Sequence, residues 1–237
     1  MKYRIAVLGD FNPAYLTHHA LNNSIKQCNS FLQTSIQCDW IGTNIFDSKI
    51  VFNKLYSGLW VASGSPYQNV ENVISAIQYA RTNDIPTFGN CAGFQHMLIE
   101  YARNVCGLIN ADHEETNPLA EDLVITKLSC SLVGVEEELT IIDTDSKLFN
   151  IIKETHLKGR YYCNYGVNPR HRKLLTSYGC SFTAVSKDGE LRAFELKQHP
   201  FFLGTLFQPA LMSTKDSPNP IIVEFFKQCM KIQSMPV

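Results

Sequence analysis

The sequence has no excess of charge of either sign. Its 21 lysine and arginine residues stand against 22 aspartate and glutamate residues, which gives a formal net charge of -1. Nucleic acids and anionic membranes are bound mainly through clustered positive charge, so this composition argues against both as partners. A small molecule or a protein partner fits the composition better.

Long apolar runs are also missing. No stretch approaches the ~20 consecutive apolar residues that a membrane-spanning helix needs. The first residues lead directly into a strand-like run at 3–8, without the charged and apolar regions of a secretory signal. We therefore expect a soluble protein of the cytoplasm, where thiols stay reduced.

Metal-binding patterns are absent as well. The 8 cysteines include no Cys-x-x-Cys pair, so the sequence has no zinc-site signature. We expect neither a metal nor a cofactor, and we expect most of the cysteines to be buried as small apolar side chains. The cysteines are Cys28, Cys38, Cys91, Cys106, Cys130, Cys163, Cys180 and Cys229.

Short apolar runs alternate with segments of helical periodicity in the first half of the chain. This alternation is typical of βαβ units, so we expect an α/β sandwich of three layers around a mostly parallel sheet. The second half is richer in strand-like pieces, which predict a small antiparallel extension. No repeat or linker divides the chain, which predicts one domain over residues 1–237. The predicted strands are 3–8, 35–41 and 59–62, the helices 14–26, 70–81 and 94–105, and the later pieces 123–128, 139–142, 191–196 and 202–207.

One cysteine has a distinctive context. Cys91 lies between Gly89 and Gly93, at the junction of a predicted strand and a predicted helix. Such glycines permit the sharp strand-to-helix turn that presents a nucleophile at the carboxyl edge of a sheet. Amides at the start of the helix favour the thiolate form. We therefore interpret Cys91 as a nucleophile and not as one more buried cysteine.

The segment IPTFGNCAGFQ at 85–95 resembles the nucleophile segment of the class I glutamine amidotransferases, in particular that of the CTP synthase glutaminase domain. The likeness covers nearly the whole chain, and no synthetase domain precedes it, which predicts a stand-alone domain. The resemblance implies the flavodoxin-like fold of that family. Further matching segments are VASGSPY at 61–67, YARTNDIP at 79–86, LIEYARNV at 98–105, RYYCNYGVN at 160–168 and QHPFF at 198–202.

The resemblance implies roles for several residues. In that family a cysteine attacks the glutamine side-chain amide, a histidine moves the proton, a glutamate orients the histidine, and ammonia leaves. Cys91 takes the nucleophile position, and the backbone amides of Gly64 and Ala92 take the oxyanion positions. Gln95 and Glu115 match residues that hold the substrate, which implies a small molecule that resembles glutamine.

Other positions depart from the family pattern. Gln208 and Ala210 stand where the family has the histidine and the glutamate, and Asn164 replaces an arginine that clamps the substrate carboxylate. Ser63 and Ser65 replace a glycine and an aromatic residue beside the oxyanion strand, which should reshape the pocket. A neutral amide can neither shuttle a proton nor replace a bidentate arginine contact. General acid-base catalysis contributes ~10²- to 10⁴-fold in rate, so we expect ordinary glutaminase activity to be severely reduced.

Histidines elsewhere offer a substitute for the missing base. His113 is the best placed of them, because it lies two residues before Glu115 in a loop expected to face the pocket. A solvated loop histidine is the simpler interpretation. His18 and His19 are adjacent on a predicted helix and point in different directions, so a metal site there has little support.

Three functions stay open on these observations. The retained elbow favours a Cys91-dependent hydrolase or transferase that acts on a small substrate other than glutamine. The loss of three family positions favours a binding or regulatory protein without turnover. The resemblance itself favours a residual glutaminase that supplies ammonia to a separate synthetase. The protein partner would be that synthetase or a second copy of the chain.

Overall fold

The computed structural model of the protein describes residues 3–46 and 56–232. Its strands are β1 (Arg4–Leu8), β2 (Gln37–Ile41), β3 (Gly58–Val61), β4 (Thr87–Asn90), β5 (Ala111–His113), β6 (Asp122–Lys127), β7 (Glu136–Ile141), β8 (His156–Arg160), β9 (Tyr165–Val167), β10 (Cys180–Val185), β11 (Leu191–Leu196) and β12 (Phe202–Thr205). Its α-helices are α1 (Leu16–Leu32), α2 (Val70–Thr82), α3 (Ala92–Asn104), α4 (Lys147–Ile152), α5 (Arg172–Ser177) and α6 (Pro220–Ile232). None of the described helices is long and apolar enough to cross a bilayer.

Most of the strands form one nine-stranded sheet. Its order is β2-β1-β3-β4-β12-β11-β10-β7-β8. The strands from β2 to β12 in this order pair in parallel. From β12 to β8 the sheet continues through antiparallel pairs. The prediction of an α/β fold with a parallel centre and an antiparallel extension is therefore confirmed.

Two of the strands that the sequence assigned to the antiparallel extension lie elsewhere in the structure. The piece predicted at 202–207 forms β12, which pairs in parallel with β4 at the centre of the sheet and borders the extension through β11. The piece predicted at 123–128 forms β6, which belongs to a separate sheet of order β5-β6-β9. Short strands of either kind carry similar apolar patterns, so periodicity alone does not separate them.

The direction of the crossovers places helices on both faces of the sheet. The chain passes from β1 through α1 to β2 on one side, and from β3 through α2 to β4 on the other. Because parallel crossovers are right-handed, these opposite directions put α1 and α2 on opposite faces. Helix α2 packs on α3, and α1 packs on α6, which completes the three layers. The strand order reverses between β1 and β3, and carboxyl ends of strands leave a ligand crevice at such a reversal.

Helix α3 approaches the sheet closely just after Cys91. A Cβ atom at Gly93 would lie 2.1 Å from the carbonyl oxygen of Val61 in β3, so only glycine fits there. The helix is buried along most of its length. Its buried carboxylate, Glu100, is held by Arg81 of α2 with N–O distances of 2.7 and 2.9 Å. These contacts fix where the start of α3, and with it Cys91, sits above the sheet.

We expect Gly93→Ala to destabilise the fold strongly, because its added methyl group meets backbone that cannot rotate away. Overpacking of a core costs about 1 to 3 kcal/mol, and this substitution should reach at least the upper end. Gly107→Ala is the matched control. A Cβ atom there meets nothing within 4 Å, although its φ of +78° is unfavourable for alanine. Urea unfolding should show a clearly larger loss for Gly93→Ala, and equal losses would contradict the close packing.

Candidate active site

A cavity of about 440 Å³ opens at the carboxyl ends of β3 and β4. It contains most of the residues singled out in the sequence, although they come from distant parts of the chain. Ala92, Ala210 and His113 do not line it. The lining residues are Ala14, Tyr15, Leu16, Thr17, Ser63, Gly64, Ser65, Cys91, Gln95, Glu115, Tyr162, Cys163, Asn164, Tyr165 and Gln208.

Cys91 sits on a strained turn. Its φ of 52° and ψ of -110° place it in a backbone region that side chains other than glycine rarely occupy. The turn is held on both sides, because the Cys91 amide donates to the Thr205 carbonyl at 2.9 Å and the Gln95 amide donates to the Cys91 carbonyl at 3.1 Å. Strain of this kind persists only where surrounding structure enforces it, and it is concentrated at functional sites.

The backbone before Gly64, where the sequence predicts an oxyanion amide, is held by a histidine. The Asn12 amide donates to Nδ1 of His18 at 3.0 Å, so the ring proton lies on Nε2, which donates to the Ser63 carbonyl at 2.8 Å. Because C=O and N–H of a trans peptide point in opposite directions, the Gly64 amide faces away from His18. That amide has no acceptor among the described residues. The His18 ring is thus a support for the strand, and both of its nitrogens are occupied.

A fixed chain of hydrogen bonds determines what Gln208 can do. The Trp60 indole, which can only donate, donates to Oδ1 of Asn90 at 2.7 Å. Asn90 must then use its NH₂ group, and this group donates to Oε1 of Gln208. The NH₂ group of Gln208 is buried and has no partner in the described part of the chain. Gln208 is therefore a positioned donor and cannot act as a base. Ala210 follows it in the 3₁₀ turn Pro209–Met212 and is buried.

A second chain of hydrogen bonds occupies His113. The Glu115 amide donates to Nδ1 of His113 at 3.0 Å, and Nε2 then donates to Oε1 of Gln95 at 3.2 Å. Burial, with a smaller effect of the His96 ring, lowers the pKa of His113 to about 3. The expectation of a solvated loop histidine is therefore wrong. His113 is 1% exposed, neutral, and holds Gln95 from behind the cavity.

Cys163 is buried, as expected of most of the cysteines, but polar groups surround its thiol. The thiol donates to the Tyr165 carbonyl oxygen at 3.2 Å. The Gln95 amide also donates to Cys163 Sγ at 3.1 Å, and Cys91 Sγ lies 3.7 Å from the Tyr162 carbonyl oxygen. The only signal in the sequence was that Cys163 precedes Asn164, which the family resemblance already assigned to the pocket.

Burial works against ionisation of Cys91. The interaction with the buried Cys163 side chain, together with burial, raises the pKa of Cys91 well above its usual value, although the Ala92 amide opposes this. The amide at the start of the helix thus acts in the predicted direction, but its effect is outweighed and the thiol form of Cys91 is favoured.

Charge in the cavity is limited to one side chain. Among the described lining residues, Glu115 is the only Asp, Glu, His, Lys or Arg. Asn164, at the position of the family arginine, accepts a hydrogen bond from the Ser131 hydroxyl at 2.7 Å. A negatively charged group of a ligand would thus meet no cation here, whereas an amine would meet Glu115.

A larger cavity of about 570 Å³ lies elsewhere, between α1, α4 and α6. Its described lining contains no cysteine or histidine, and its charged residues are Lys147, Glu224 and Lys227. Volume alone would favour this cavity, but it brings no nucleophile to any group that could assist one. We assign the chemistry to the smaller cavity at the end of the parallel strands.

The central sheet with helices on both faces and the cavity at the ends of its parallel strands define an α/β domain of the class I glutamine amidotransferase type. The family model of the class-I glutamine amidotransferases matches residues 18–228, and the chain belongs to that family.

Its similar relatives include CTP synthases. The enzyme of Sulfolobus acidocaldarius is 31% identical over 94% of this chain and 44% of its own length. The enzyme of Campylobacter jejuni is 30% identical over 97% of this chain and 46% of its own length. The chain thus spans less than half the length of these curated relatives.

The structural comparison agrees with this assignment. The glutaminase domain of Trypanosoma brucei CTPS with bound acivicin superposes with a TM-score of 0.85 at 25% identity, covering 97% of this chain and 94% of that one. A putative GMP synthase subunit from Thermoplasma acidophilum matches with a TM-score of 0.65 at 16% identity, which supports the fold alone.

We expect the buried His113 to make the free energy of unfolding decrease as the pH is lowered. In the unfolded chain this histidine binds a proton near pH 6.5, but in the folded chain it does so only near its lowered pKa of about 3. The stability of the fold is therefore unaffected by His113 above pH 6.5 and decreases as the pH falls below that value. Between pH 7 and 5, His113→Gln should lose about 2 kcal/mol less than the unaltered protein in urea unfolding. His156→Gln, on the exposed side of β8, is the control. Parallel pH profiles for all three proteins would contradict the burial argument.

Proposed function

We propose that the chain is a Cys91-dependent hydrolase or transferase that acts on a small substrate other than glutamine. The observation that carries this proposal is the conformation of Cys91. A cysteine with a φ of 52° is held on an enforced turn at a cavity that Gly64 also lines. A purely structural cysteine would need neither the strained turn nor the cavity.

The proposed reaction follows from these groups. The Cys91 sulfur attacks a carbonyl carbon of the substrate, and the Gly64 and Ala92 amides stabilise the negative charge that develops on the oxygen. The leaving group departs, and water or an acceptor then releases the acyl group from the sulfur. The Cys91 proton passes to a group of the same cavity, for which the lining offers the Glu115 carboxylate and the Cys163 sulfur. The Gln208 amide is a donor that steadies an oxygen and takes no proton.

The same groups argue against glutamine as the substrate. Gln208 cannot protonate the departing ammonia, and Ala210 provides no carboxylate to tune it. Asn164 offers no charge to the α-carboxylate of glutamine, whereas Glu115 remains available for an amine. We therefore infer a substrate with an amide- or ester-type carbonyl that carries an amine or no charge, and that lacks a carboxylate next to the amine.

A second candidate function is binding without turnover, and one observation favours it. Gln208 Nε2 and Ser63 Oγ are both buried without a partner in the described residues, and both residues line the cavity. An unpartnered buried polar group costs ~1 to 3 kcal/mol, which a ligand with matching acceptors would offset. A regulatory domain that holds a metabolite would use the cavity in this way.

The third candidate is a residual glutaminase that supplies ammonia to a synthetase. It rests on the CTP synthase relatives, and the partner would be a synthetase or a second copy of the chain. Gln208, Ala210 and Asn164 weigh against it. A cytoplasmic location, as in the sequence-based expectation, suits all three candidates.

We expect the purified protein to release no ammonia from glutamine above the level of its Cys91→Ala variant. Loss of members of a catalytic triad can cost on the order of 10⁶ in rate, which leaves activity below detection. Clear Cys91-dependent release would overturn the proposal and would mean that Cys163 or another group serves as the base.

The matched gain-of-function variant is Gln208→His with Ala210→Glu and Asn164→Arg. Release of ammonia by this triple variant but not by Gln208→His alone would show that these positions account for the lost activity. If the triple variant folds and stays inactive, the cavity has diverged from glutamine at further positions as well.

We expect p-nitrophenyl acetate to acetylate Cys91 faster than any other cysteine, because the amides of the elbow stabilise its transition state. Removal of one oxyanion donor costs about 10²- to 10³-fold in other enzymes, so an advantage of at least tenfold over exposed Cys130 is expected. Peptide mass spectrometry of the unaltered protein, Cys91→Ala and Cys130→Ser locates the acetyl group. Acetylation confined to Cys163, or spread evenly over the cysteines, would exclude Cys91 as the nucleophile.

A further inference from the structure

A second cavity of about 260 Å³ adjoins the candidate active site. It shares Tyr15, Gly64 and Ser65 with the larger cavity at Cys91, so the two are lobes of one cleft that meet at these residues. We call the smaller one the outer lobe. The rest of its lining comes mainly from the loop between β1 and α1. The chemistry proposed for Cys91 uses no residue that belongs to the outer lobe alone.

The outer lobe contains the carboxylate of Asp10, which is held by three neutral donors. It accepts hydrogen bonds from the Thr43 amide at 2.8 Å, the Thr43 hydroxyl at 2.8 Å and the Gln68 amide at 2.9 Å. No lysine or arginine lines either lobe in the described part of the chain. The carboxylate is therefore fixed in place, and the described lining offers no cation to balance its charge.

Two exposed aromatic rings lie at the same lobe. Phe11 is 45% and Tyr15 is 41% exposed, although both pack on His18. The Phe11 ring stacks on the His18 ring with centroids 5.7 Å apart, and the Tyr15 ring meets it edge-on at 5.2 Å. Burial lowers the pKa of His18, so this ring is neutral and repels no cation. A single exposed ring is ordinary, but two fixed rings beside a carboxylate in a cavity suit a cation.

The hydrogen bonds of Asp10 determine which cation fits best. A carboxylate has about four acceptor sites, and the chain's own donors occupy three of them. Little acceptor capacity is left for the N–H groups of a primary amine or a guanidinium. A quaternary ammonium group needs no hydrogen bond, because it is attracted by charge and by the faces of aromatic rings.

We propose that the outer lobe binds a quaternary ammonium group, and that the substrate of Cys91 carries such a group. The substrate spans both lobes, with its carbonyl group at Cys91 and Gly64 and its cationic part past Tyr15, beside Asp10. The substrate class is thus an ester or amide that contains a trimethylammonium group. The statement about the substrate rests on the proposed function, whereas binding of the cation does not.

The test is an NMR titration of the isotope-labelled complete chain with choline and with its uncharged carbon isostere, 3,3-dimethylbutan-1-ol. Choline should bind roughly tenfold more tightly, because only the cation gains from the two rings and the carboxylate. The largest amide shifts should fall on Asn12, Tyr15 and Gln68, around the outer lobe. Ethanolamine carries the same charge without the methyl groups and should bind more weakly than choline.

Two variants test the residues that hold the cation. Tyr15→Leu and Asp10→Asn should each weaken choline binding about threefold or more, since each removes one attraction to the cation. Tyr178→Leu, which removes another exposed tyrosine outside both lobes, is the matched control and should bind choline as the unaltered protein does. The amide spectrum of each variant identifies one that has not folded, and Tyr15→Leu leaves the hydrogen bonds of Asp10 intact.

Three results would overturn the proposal. They are no preference for choline over its isostere, tighter binding of ethanolamine than of choline, and loss of choline binding in Glu115→Gln but not in Asp10→Asn. Choline binding without acetylation of Cys91 by p-nitrophenyl acetate would reject the proposed function and leave a cation site in a binding protein. Acetylation of Cys91 without choline binding would reject the cation site and leave the proposed function.

Discussion

The geometry of the cavity depends on the close approach of helix α3 to strand β3 at Gly93. The missing side chain lets the start of the helix settle against the Val61 carbonyl, and that position forces Cys91 into its strained turn. The strain is balanced by contacts that are spread over several elements, including the Thr205 carbonyl of β12 and the Arg81–Glu100 ion pair. Cys91 is therefore held by the whole centre of the sheet and not by its own turn alone.

Two hydrogen-bond chains give the cavity its polarity, and each begins at a group whose role is fixed. The first begins at the Trp60 indole, which can only donate, and ends with the NH₂ group of Gln208. The second begins at the Glu115 amide, passes through His113, and ends with the Gln95 NH₂ group at Cys163. Both chains deliver donors to the cavity. A site built in this way stabilises oxygen and sulfur anions but offers no basic nitrogen.

The sequence predicts the framework of this site well and its fine contacts poorly. The glycines around Cys91 and the strand–helix alternation were enough to predict the fold and the sharp strand-to-helix turn at Cys91, because each depends on local backbone requirements. The burial of His113 was missed, since a polar residue in a three-residue strand carries no local sign that the chain folds over it. The hydrogen bond from Gln95 to Cys163 was missed for a related reason: it joins distant segments and depends on tertiary packing. The single-domain prediction for residues 1–237 includes residues 1–2, 47–55 and 233–237, which lie outside the described part, and it stays a prediction.

The loss of the histidine changes the proton chemistry that is open to Cys91. A histidine beside a cysteine would draw its proton and leave a thiolate. Here the neutral Gln208 draws no proton, and burial raises the pKa of Cys91, so the thiol is favoured over the thiolate. Among the described lining residues, the groups that remain to take a proton are the Glu115 carboxylate and the Cys163 sulfur. Chemistry at Cys91 therefore depends on how a ligand fills the space between these groups.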